Sequence, residues 1–471
     1  MFLQDRVAQL KKFVLKTLSI SATIAFCGTI IEAQSLSSAV QTALTSNPRI
    51  KAQDSSVRAA AYDLLQTREQ FEPTLSLFGT VGREYVDDPA GLSAADNAVT
   101  KTPREAGLLA EVTLYDGFRR DNLTFARASR LDRSMFEYLD ASETMALTVV
   151  QAYVDVARQL ALKQIALDHL ARHIEIQGQV SRQVTGGKLP ISDLLQVESR
   201  VERVRVALTE IELDLSAARI RYRELVGQLP GSYLKIPAPP APPSTVDLLV
   251  KASLDNNFRI KQAQSNIDAR EFERRMSEAD YQPRITLQAG TSYGADLDGS
   301  RGHENRNFVG LNLNWTLFRG GRRERTEAFA ERRNEALYDR MSIMREVDAI
   351  ARRAWTNYSS NRRLQQLLAK QVETNQELVF QYLQEFQLAT RSLIDVLIAE
   401  TELFTARYEQ INSRASLSFS GYRMMAAQSK LAKYFGVDST GELLLLTVGV
   451  DTEKRQRPYS VLQKGRPVVD R

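Results

Sequence analysis

The sequence is poor in the residues that enzymes use for metal binding or nucleophilic catalysis. It has one cysteine and three histidines among 471 residues, which leaves little material for a cysteine-rich zinc site, a disulfide framework or a cysteine–histidine nucleophile. Its charge is nearly balanced, with 62 Lys and Arg against 57 Asp and Glu and a formal net charge of +5. We therefore expect no cofactor, no enzymatic activity and no nucleic-acid partner.

Long apolar segments are also scarce, and the clearest one lies at the N-terminus. Four basic residues among the first sixteen precede an uncharged run at 17–31, and the small residue Ala33 follows shortly after. This order is typical of a secretory signal peptide, which we predict at 1–33. The next candidate, 443–450, has only eight residues and is too short to cross a bilayer as a helix. The mature chain is therefore expected to be soluble or to enter a membrane as β-strands.

The rest of the chain contains two copies of one pattern. The segment from Asn47 to Lys51 returns as that from Asn257 to Lys261, and Leu114-Tyr115-Asp116-Gly117 returns as Leu317-Phe318-Arg319-Gly320. Because several such pairs occur in the same order, we predict a tandem duplication. The predicted organisation after the signal peptide is a first repeat at 34–236, a proline-rich linker at 237–245, a second repeat at 246–437, and a C-terminal segment with a disordered tail at 438–471.

Each repeat combines alternating stretches with long helical patterns. Apolar residues alternate with small or polar ones over about ten residues, which is the pattern of transmembrane β-strands. These predicted strands lie near 74–86, 105–115, 284–295 and 306–317. The predicted helices lie at 118–185, 191–227, 321–388 and 392–435. A helix of about 68 residues forms a rod of roughly 100 Å.

The strand count has a consequence for assembly. Four strands cannot close a barrel, and an open edge in lipid leaves backbone groups unpaired. An eight-stranded barrel is filled by its own side chains, so a pore favours three or more chains. The predicted fold is mainly α with a membrane β-barrel. Two alternatives stay open on the patterns alone: β-hairpins packed on helices in the periplasm, and a soluble periplasmic or surface coiled-coil structural protein without pore activity.

These motifs together resemble the TolC-like outer-membrane efflux protein family. The resemblance is carried by Ala39-Val40 through Asn47-Pro48, by the two strands that follow prolines, by the duplicated Leu114–Gly117 motif, and by Thr390 to Leu397. It implies tandem helix-hairpin-helix-helix units that form a trimeric, 12-stranded β-barrel continuous with an α-helical coiled-coil tunnel. It also implies an exit duct for small molecules, for proteins in type I secretion, or for both, with an equatorial segment after the second repeat.

The same resemblance implies partners. These are two further copies of the chain in a homotrimer, a periplasmic adaptor (membrane fusion) protein, an inner-membrane pump of the ABC or RND type, and outer-membrane lipid. The adaptor is expected to dock on the turns at the helix tips, which contain Gly186, Gly187, Lys188, Leu388, Ala389 and Thr390.

By resemblance, a polar network holds the periplasmic tip closed. It joins Arg391 of the second turn to Ser192 and Asp193 beside the first, while Phe386 occupies the place of a family tyrosine and so lacks its hydroxyl. From charge type alone, an ordinary exposed ion pair or a helix N-cap by Ser192 or Asp193 remains an alternative.

The resemblance also implies a constriction of the tunnel close to this network. Asp395 matches a ring of aspartates in the family, whereas Ile398 takes the place of a second acidic ring one helical turn later. We therefore expect a tunnel mouth with a single acidic ring, which is less selective for cations than one with two.

Two further patterns have competing interpretations. His169 and His173 are four residues apart, as in a metal clamp, but no third ligand is evident nearby, so we expect a solvated helix face. Aromatic residues also gather where strand gives way to helix, and they form either a belt at the membrane interface or a core under the barrel rim. These aromatic residues are Tyr115, Phe118, Trp315 and Phe318.

Overall fold

The computed structural model describes residues 35–86, 99–297, 302–388 and 390–437. The predicted signal peptide and the predicted C-terminal segment lie outside the described residues. The α-helices are α1 (Leu36–Ser46), α2 (Pro48–Glu69), α3 (Arg119–Thr185), α4 (Ile191–Val226), α5 (Val246–Asn256), α6 (Phe258–Glu278), α7 (Arg322–Gln387), α8 (Leu393–Ala427) and α9 (Leu431–Tyr434). The strands are β1 (Thr74–Val81), β2 (Glu84–Val86), β3 (Val99–Lys101), β4 (Arg104–Tyr115), β5 (Arg284–Ala295) and β6 (His303–Asn314).

An asparagine begins the second helix of each repeat in the same way. Asn47 separates α1 from α2, and its side-chain oxygen accepts the amide hydrogen bond that starts α2, at 2.9 Å. Asn257 does the same between α5 and α6, at 3.0 Å. The amide group of Asn47 also donates to the carbonyl of Leu225, and that of Asn257 to the carbonyl of Ala427. Each asparagine therefore caps one helix and pins it to the end of its repeat's last long helix.

The two repeats share one antiparallel sheet with the strand order β1-β4-β5-β6. The joint between repeats is the β4–β5 pair, while β1 and β6 are the edges, with no further partner among the described residues. The predicted strand at 74–86 is wrong as one element, because the chain leaves β1 after Val81 and the short strand β2 pairs with β3 instead. The predicted strand at 306–317 is shifted, since Asn314 already pairs with Arg284, the first residue of β5.

The sheet has one apolar face and one mixed face. Val309, Leu311 and Leu313 alternate along β6 and are exposed in the single chain. On the other face, the ring of Phe308 covers Gly290, where a Cβ atom would come within 2.6 Å of the ring. The apolar face is therefore a continuous surface that the chain itself leaves uncovered.

The long helices surround α3, which packs against α2, α4, α6 and α8. The main apolar core lies where α1 and α9 join the middle part of α3 and the C-terminal end of α4, and Tyr222 is fully buried there. No α-helix in the described part of the chain is both long and apolar enough to cross a membrane.

The last long helix ends earlier than the predicted 392–435. α8 stops at Ala427 because Ser429 adopts a left-handed conformation, with φ at 53°, and its amide closes the helix on the Ala426 carbonyl. The short helix α9 follows, and the Glu143 carboxylate accepts hydrogen bonds from its first two amides at 2.9 and 3.0 Å. Burial raises the pKa of Glu143 to about 7.

The linker also packs on α8. Tyr422 donates a hydrogen bond to the carbonyl of Ala238, and a Cβ atom at Gly421 would come within 2.8 Å of Pro239 and 2.9 Å of Pro240. The absence of a side chain at Gly421 is what lets the stiff proline segment lie against the helix.

Candidate functional site

The α3–α4 and α7–α8 turns lie side by side at the ends of the helices farthest from the sheet. The α3 helix has 67 residues, so its turn lies roughly 100 Å from the strands at 1.5 Å per residue. An apolar cluster from both repeats holds the two turns together, and Phe386 is buried within it. The other buried members are Ile176, Val180, Val197, Val201, Leu393, Val396 and Leu397.

The first turn is a helix end closed by glycine. The amide of Lys188 donates to the Gln183 carbonyl and that of Gly187 to the Val184 carbonyl, both at 2.9 Å. This pair of bonds is the Schellman motif, which needs a left-handed residue just past the helix. Gly187 supplies it with φ at +70°. Gly186 caps α3, and all three predicted docking residues of this turn are exposed.

The second turn uses polar side chains for the same purpose. Both the amide and the hydroxyl of Thr390 donate to the Glu385 carbonyl at 3.0 Å. Ser392 then caps α8 by accepting from the Asp395 amide at 3.3 Å. Leu388 and Thr390 are exposed, whereas Ala389 lies outside the described residues. The carboxylate of Asp395 sits in the first turn of α8, where the helix dipole favours an anion.

Arg391 is held within the second turn. Its Nε donates to Glu385 Oε2 at 2.8 Å, and its guanidinium lies 4.3 Å from the ring centroid of Tyr382. A longer ion pair of 3.8 Å joins it to Asp395. The hydrogen bond to Glu385 raises the pKa of Arg391 above its usual value. Because two partners on α7 grip the side chain from different directions, its charged end has a defined position at the tip.

The remaining predicted gate residues lie near Arg391 in the fold but do not bond to it within one chain. Ser192 and Asp193 occupy the first turn of α4, exposed and half-buried respectively. Among the described residues, no hydrogen bond or ion pair joins either of them to Arg391. Sequence reasoning missed Glu385 and Tyr382, which precede Arg391 by six and nine residues. The sequence signal for these contacts is the short turn between Glu385 and Arg391, which folds the chain back on the end of α7.

The predicted constriction residues lie on one face of α8. Asp395 and Ile398 are three residues apart, and in the single chain Asp395 is half-buried and Ile398 is exposed. Residues at this spacing are neighbours on a helix surface. One acidic and one apolar side chain therefore project together just beyond the second turn.

The predicted solvated face at the histidine pair is wrong. His169 and His173 are only 9% and 1% exposed, because α8 of the second repeat covers this side of α3. The ring of His169 stacks on that of Phe404 with centroids 4.5 Å apart, and His173 Nδ1 lies 3.1 Å from the His169 carbonyl. Burial lowers the pKa of His169 to about 3 and also lowers that of His173. The described residues contain no group of three side chains suited to a metal ion.

An open sheet built from two repeats and continued by two long helical hairpins that meet at a tip is the architecture of a channel-tunnel. The chain belongs to the outer membrane efflux protein family, which matches residues 39–228 and 249–426. The two matched segments correspond to the two repeats and leave out the linker. The protein is therefore an outer-membrane channel and not an enzyme, as the resemblance implied.

Individual relatives are similar to this protein over most of its length. It is 21% identical over 426 residues to the outer membrane protein TolC of Salmonella enteritidis, covering 86% of this chain and 84% of that protein. It is 25% identical over 359 residues to the alkaline protease secretion protein AprF of Pseudomonas aeruginosa, covering 73% and 72%. The crystal structure of the outer membrane protein VceC of Vibrio cholerae superposes with a TM-score of 0.73 at 16% identity, covering 84% of this chain and 96% of that one.

Proposed function

We propose that this protein is the passive exit duct of a tripartite export system and that it works as a homotrimer with a 12-stranded barrel. The observation that carries the proposal is the open sheet, whose edge strands β1 and β6 lack further partners among the described residues. Such edges must be paired if the strands are to lie in lipid. Pairing β6 of one copy with β1 of the next satisfies both edges and closes a ring.

The helices support the same assembly. Val206, Leu213 and Ile220 are exposed on α4 although each is apolar. Their spacing of seven residues places them in one line along the helix, as in a coiled-coil seam. Exposure of such a line costs free energy in a single chain, and a helix from a neighbouring copy removes that cost.

The exposed residues of the tip turns support the proposal of further partners. We propose that a periplasmic adaptor docks on the two turns, at 186–188 and 388–390, and that an inner-membrane pump of the ABC or RND type supplies energy and chooses cargo. The name of AprF connects that relative with protein secretion. Type I secretion is therefore one export route for this duct, beside efflux of small molecules.

The gate is proposed at Arg391. Its guanidinium is fixed by Glu385 and Tyr382, so it is presented at the tip rather than free in solvent. In the closed trimer it bonds to Asp193 and Ser192, and rings of Asp395 and Ile398 narrow the passage beside it. A charge-assisted link of this kind holds two coils together and can be broken by a partner that binds the tip.

The test is single-channel conductance of the detergent-extracted protein in planar bilayers, together with its mass in detergent. The wild type is expected to be a trimer that passes small, stable currents. Arg391→Ser is expected to raise the conductance several-fold because the link between coils is lost. The matched control is Arg362→Ser, which removes an exposed arginine from the middle of α7.

Two outcomes would contradict the proposal at different levels. Unchanged conductance in Arg391→Ser would make this residue an ordinary surface charge and leave the duct intact. A water-soluble monomer or dimer without currents would remove the duct itself and favour a periplasmic coiled-coil protein.

A further inference from the structure

The second strand–helix junction, 315–323, combines exposed apolar and basic side chains. Trp315, Leu317 and Phe318 follow β6 and are 54%, 76% and 89% exposed. They come directly after the exposed apolar residues of β6. Arg319 comes next, and Arg323 lies in the first turn of α7; both are exposed.

One position of the equivalent junction in the first repeat has the opposite charge. The duplicated motif places Asp116 where the second repeat has Arg319. The Asp116 carboxylate has partners within the chain. It accepts hydrogen bonds from the backbone amides of Arg119 and Arg120 at 3.1 and 3.3 Å, and one from the Arg120 side chain at 2.8 Å. The second junction has thus replaced a capping acid by a cation that the cap does not require.

A rigid frame presents these side chains. Trp315 Nε1 donates to the Tyr281 carbonyl at 3.2 Å. Arg322 donates to the Thr316 carbonyl at 2.8 Å and stacks on the Tyr281 ring at 4.9 Å, while Arg325 pairs with Asp280. These contacts fix the backbone on both sides of Arg319.

The two exposed arginines differ from their neighbours in having no internal partner. Within the described ranges, neither Arg319 nor Arg323 forms a side-chain hydrogen bond or an ion pair. The exposed acids Glu324 and Glu327 are near in sequence, yet neither lies within ion-pair distance of them. Both guanidinium groups are therefore available to a ligand outside the chain.

We propose that this junction binds the phosphate headgroup of an anionic phospholipid from the inner leaflet of the outer membrane. The inference rests on the proposed function, because that function puts the strands in the bilayer and the junction at its periplasmic surface. Tryptophan favours this depth. An arginine near it reaches the headgroup layer and matches phosphate with two parallel hydrogen bonds. Each trimer then has three such sites, one per second repeat.

Lipid binding to the intact trimer tests the proposal. Native mass spectrometry of the detergent-purified trimer would follow titration with phosphatidylglycerol or with phosphatidylcholine of the same acyl chains. We expect phosphatidylglycerol to bind about tenfold more tightly, because each basic residue at an anionic surface contributes about a fivefold factor that partly overlaps with its neighbour's. Arg319→Ala/Arg323→Ala is expected to reduce the preference to less than about twofold. The matched control, Arg362→Ala/Arg363→Ala, removes two exposed arginines of the tunnel and should keep it.

The remaining arms separate a lipid headgroup from a free anion and from unspecific lipid binding. Soluble glycerol phosphate that binds the wild-type trimer as tightly as phosphatidylglycerol does would assign the site to a free anion and overturn the lipid proposal. Equal binding of both lipids, or an unchanged preference in the Arg319 and Arg323 variant, would also overturn the lipid proposal. If the trimers still conduct in that case, the proposed duct stands. Failure to obtain trimers that conduct would remove both proposals.

Discussion

Helices α3 and α7 are equivalent elements of the two repeats and have 67 and 66 residues, yet their surroundings differ. α3 carries buried residues from its first turns to its last, because helices of both repeats pack around it. α7 buries far fewer residues, among them Ala351 and Ala354, and leaves Tyr338, Leu367 and Phe380 exposed. The difference shows that duplication kept the shape of the element while its surface adapted to the neighbours that each copy meets.

The same divergence is visible at matched positions 202 residues apart. In each case one repeat has a side chain with a specific structural role, and the counterpart fills that role less well or not at all. These pairs are Val184 and Phe386, His169 and Gln371, His173 and Asn375, and Pro190 and Ser392.

The largest effect is expected from Phe386→Ala. Phe386 is buried where the two turns meet, so its loss should destabilise the tip by about 3–5 kcal/mol. The matched change Val184→Ala removes a smaller, half-buried side chain of the same cluster and should cost about 1 kcal/mol. Hydrogen exchange of the amides at the ends of α7 and α8 measures both. Equal losses in the two variants would mean that the repeats contribute alike to the tip.

A smaller effect is expected from the histidine pair, which only the first repeat has. Burial lowers the pKa of His169 to about 3, whereas an unfolded histidine titrates near 6.5. Below that pH the unfolded state binds a proton that the native state does not, so stability is complete above about pH 6.5 and falls as the pH is lowered. From pH 7 to pH 5 this group alone should cost about 2 kcal/mol.

The control replaces the pair by the residues of the second repeat, His169→Gln/His173→Asn. Thermal unfolding followed by circular dichroism should give a weaker pH dependence between pH 7 and pH 5 for this variant than for the wild type. Burial raises the pKa of Glu400, which faces the same region with Arg172 and Arg407, so that this carboxyl acts in the opposite direction. It is present in both proteins and cancels in their difference. Parallel pH curves would refute the assignment to the histidines.

The smallest effect is expected at the cap of α8. Ser392→Ala removes the hydroxyl that accepts from the Asp395 amide and should cost about 1 kcal/mol. Ser192→Ala near the start of α4 is the comparison, because Ser192 is exposed and is not the cap of that helix; a change within about 0.5 kcal/mol is expected there. Hydrogen exchange in the first turns of α4 and α8 distinguishes the two. A loss at Ser192 as large as at Ser392 would mean that both turns depend on a hydroxyl.

The sequence predicted the features that depend on local periodicity. The duplication, the order of strands and helices, and most helix limits follow from alternation, from heptad spacing and from breaks such as Gly186-Gly187. Features that depend on distant partners could not be predicted in this way. The burial of His173 depends on a helix more than 200 residues away, and the end of α8 depends on a left-handed Ser429 that carries no glycine signal.

The candidate site also has a part that local sequence signals predict and a part that they do not. The turns and their exposed residues lie where helix-stop signals put them. The partners of Arg391 do not follow from the resemblance, because Glu385 and Tyr382 are reached only when the turn brings the side chain back along α7. A local fold-back of this kind depends on rotamers, which sequence spacing does not specify.

The β4–β5 pair that joins the repeats within one chain has a consequence for symmetry. If the proposed trimer descends from an assembly of single repeats, that ring had six equal seams, and every one of them had to form between separate molecules. Fusion put the two repeats at half of these seams into one chain. Fewer separate molecules therefore have to meet during assembly. It also made the two kinds of seam inequivalent. In the proposed trimer a mutation in one repeat therefore appears three times around the ring and not six, and each repeat became free to specialise.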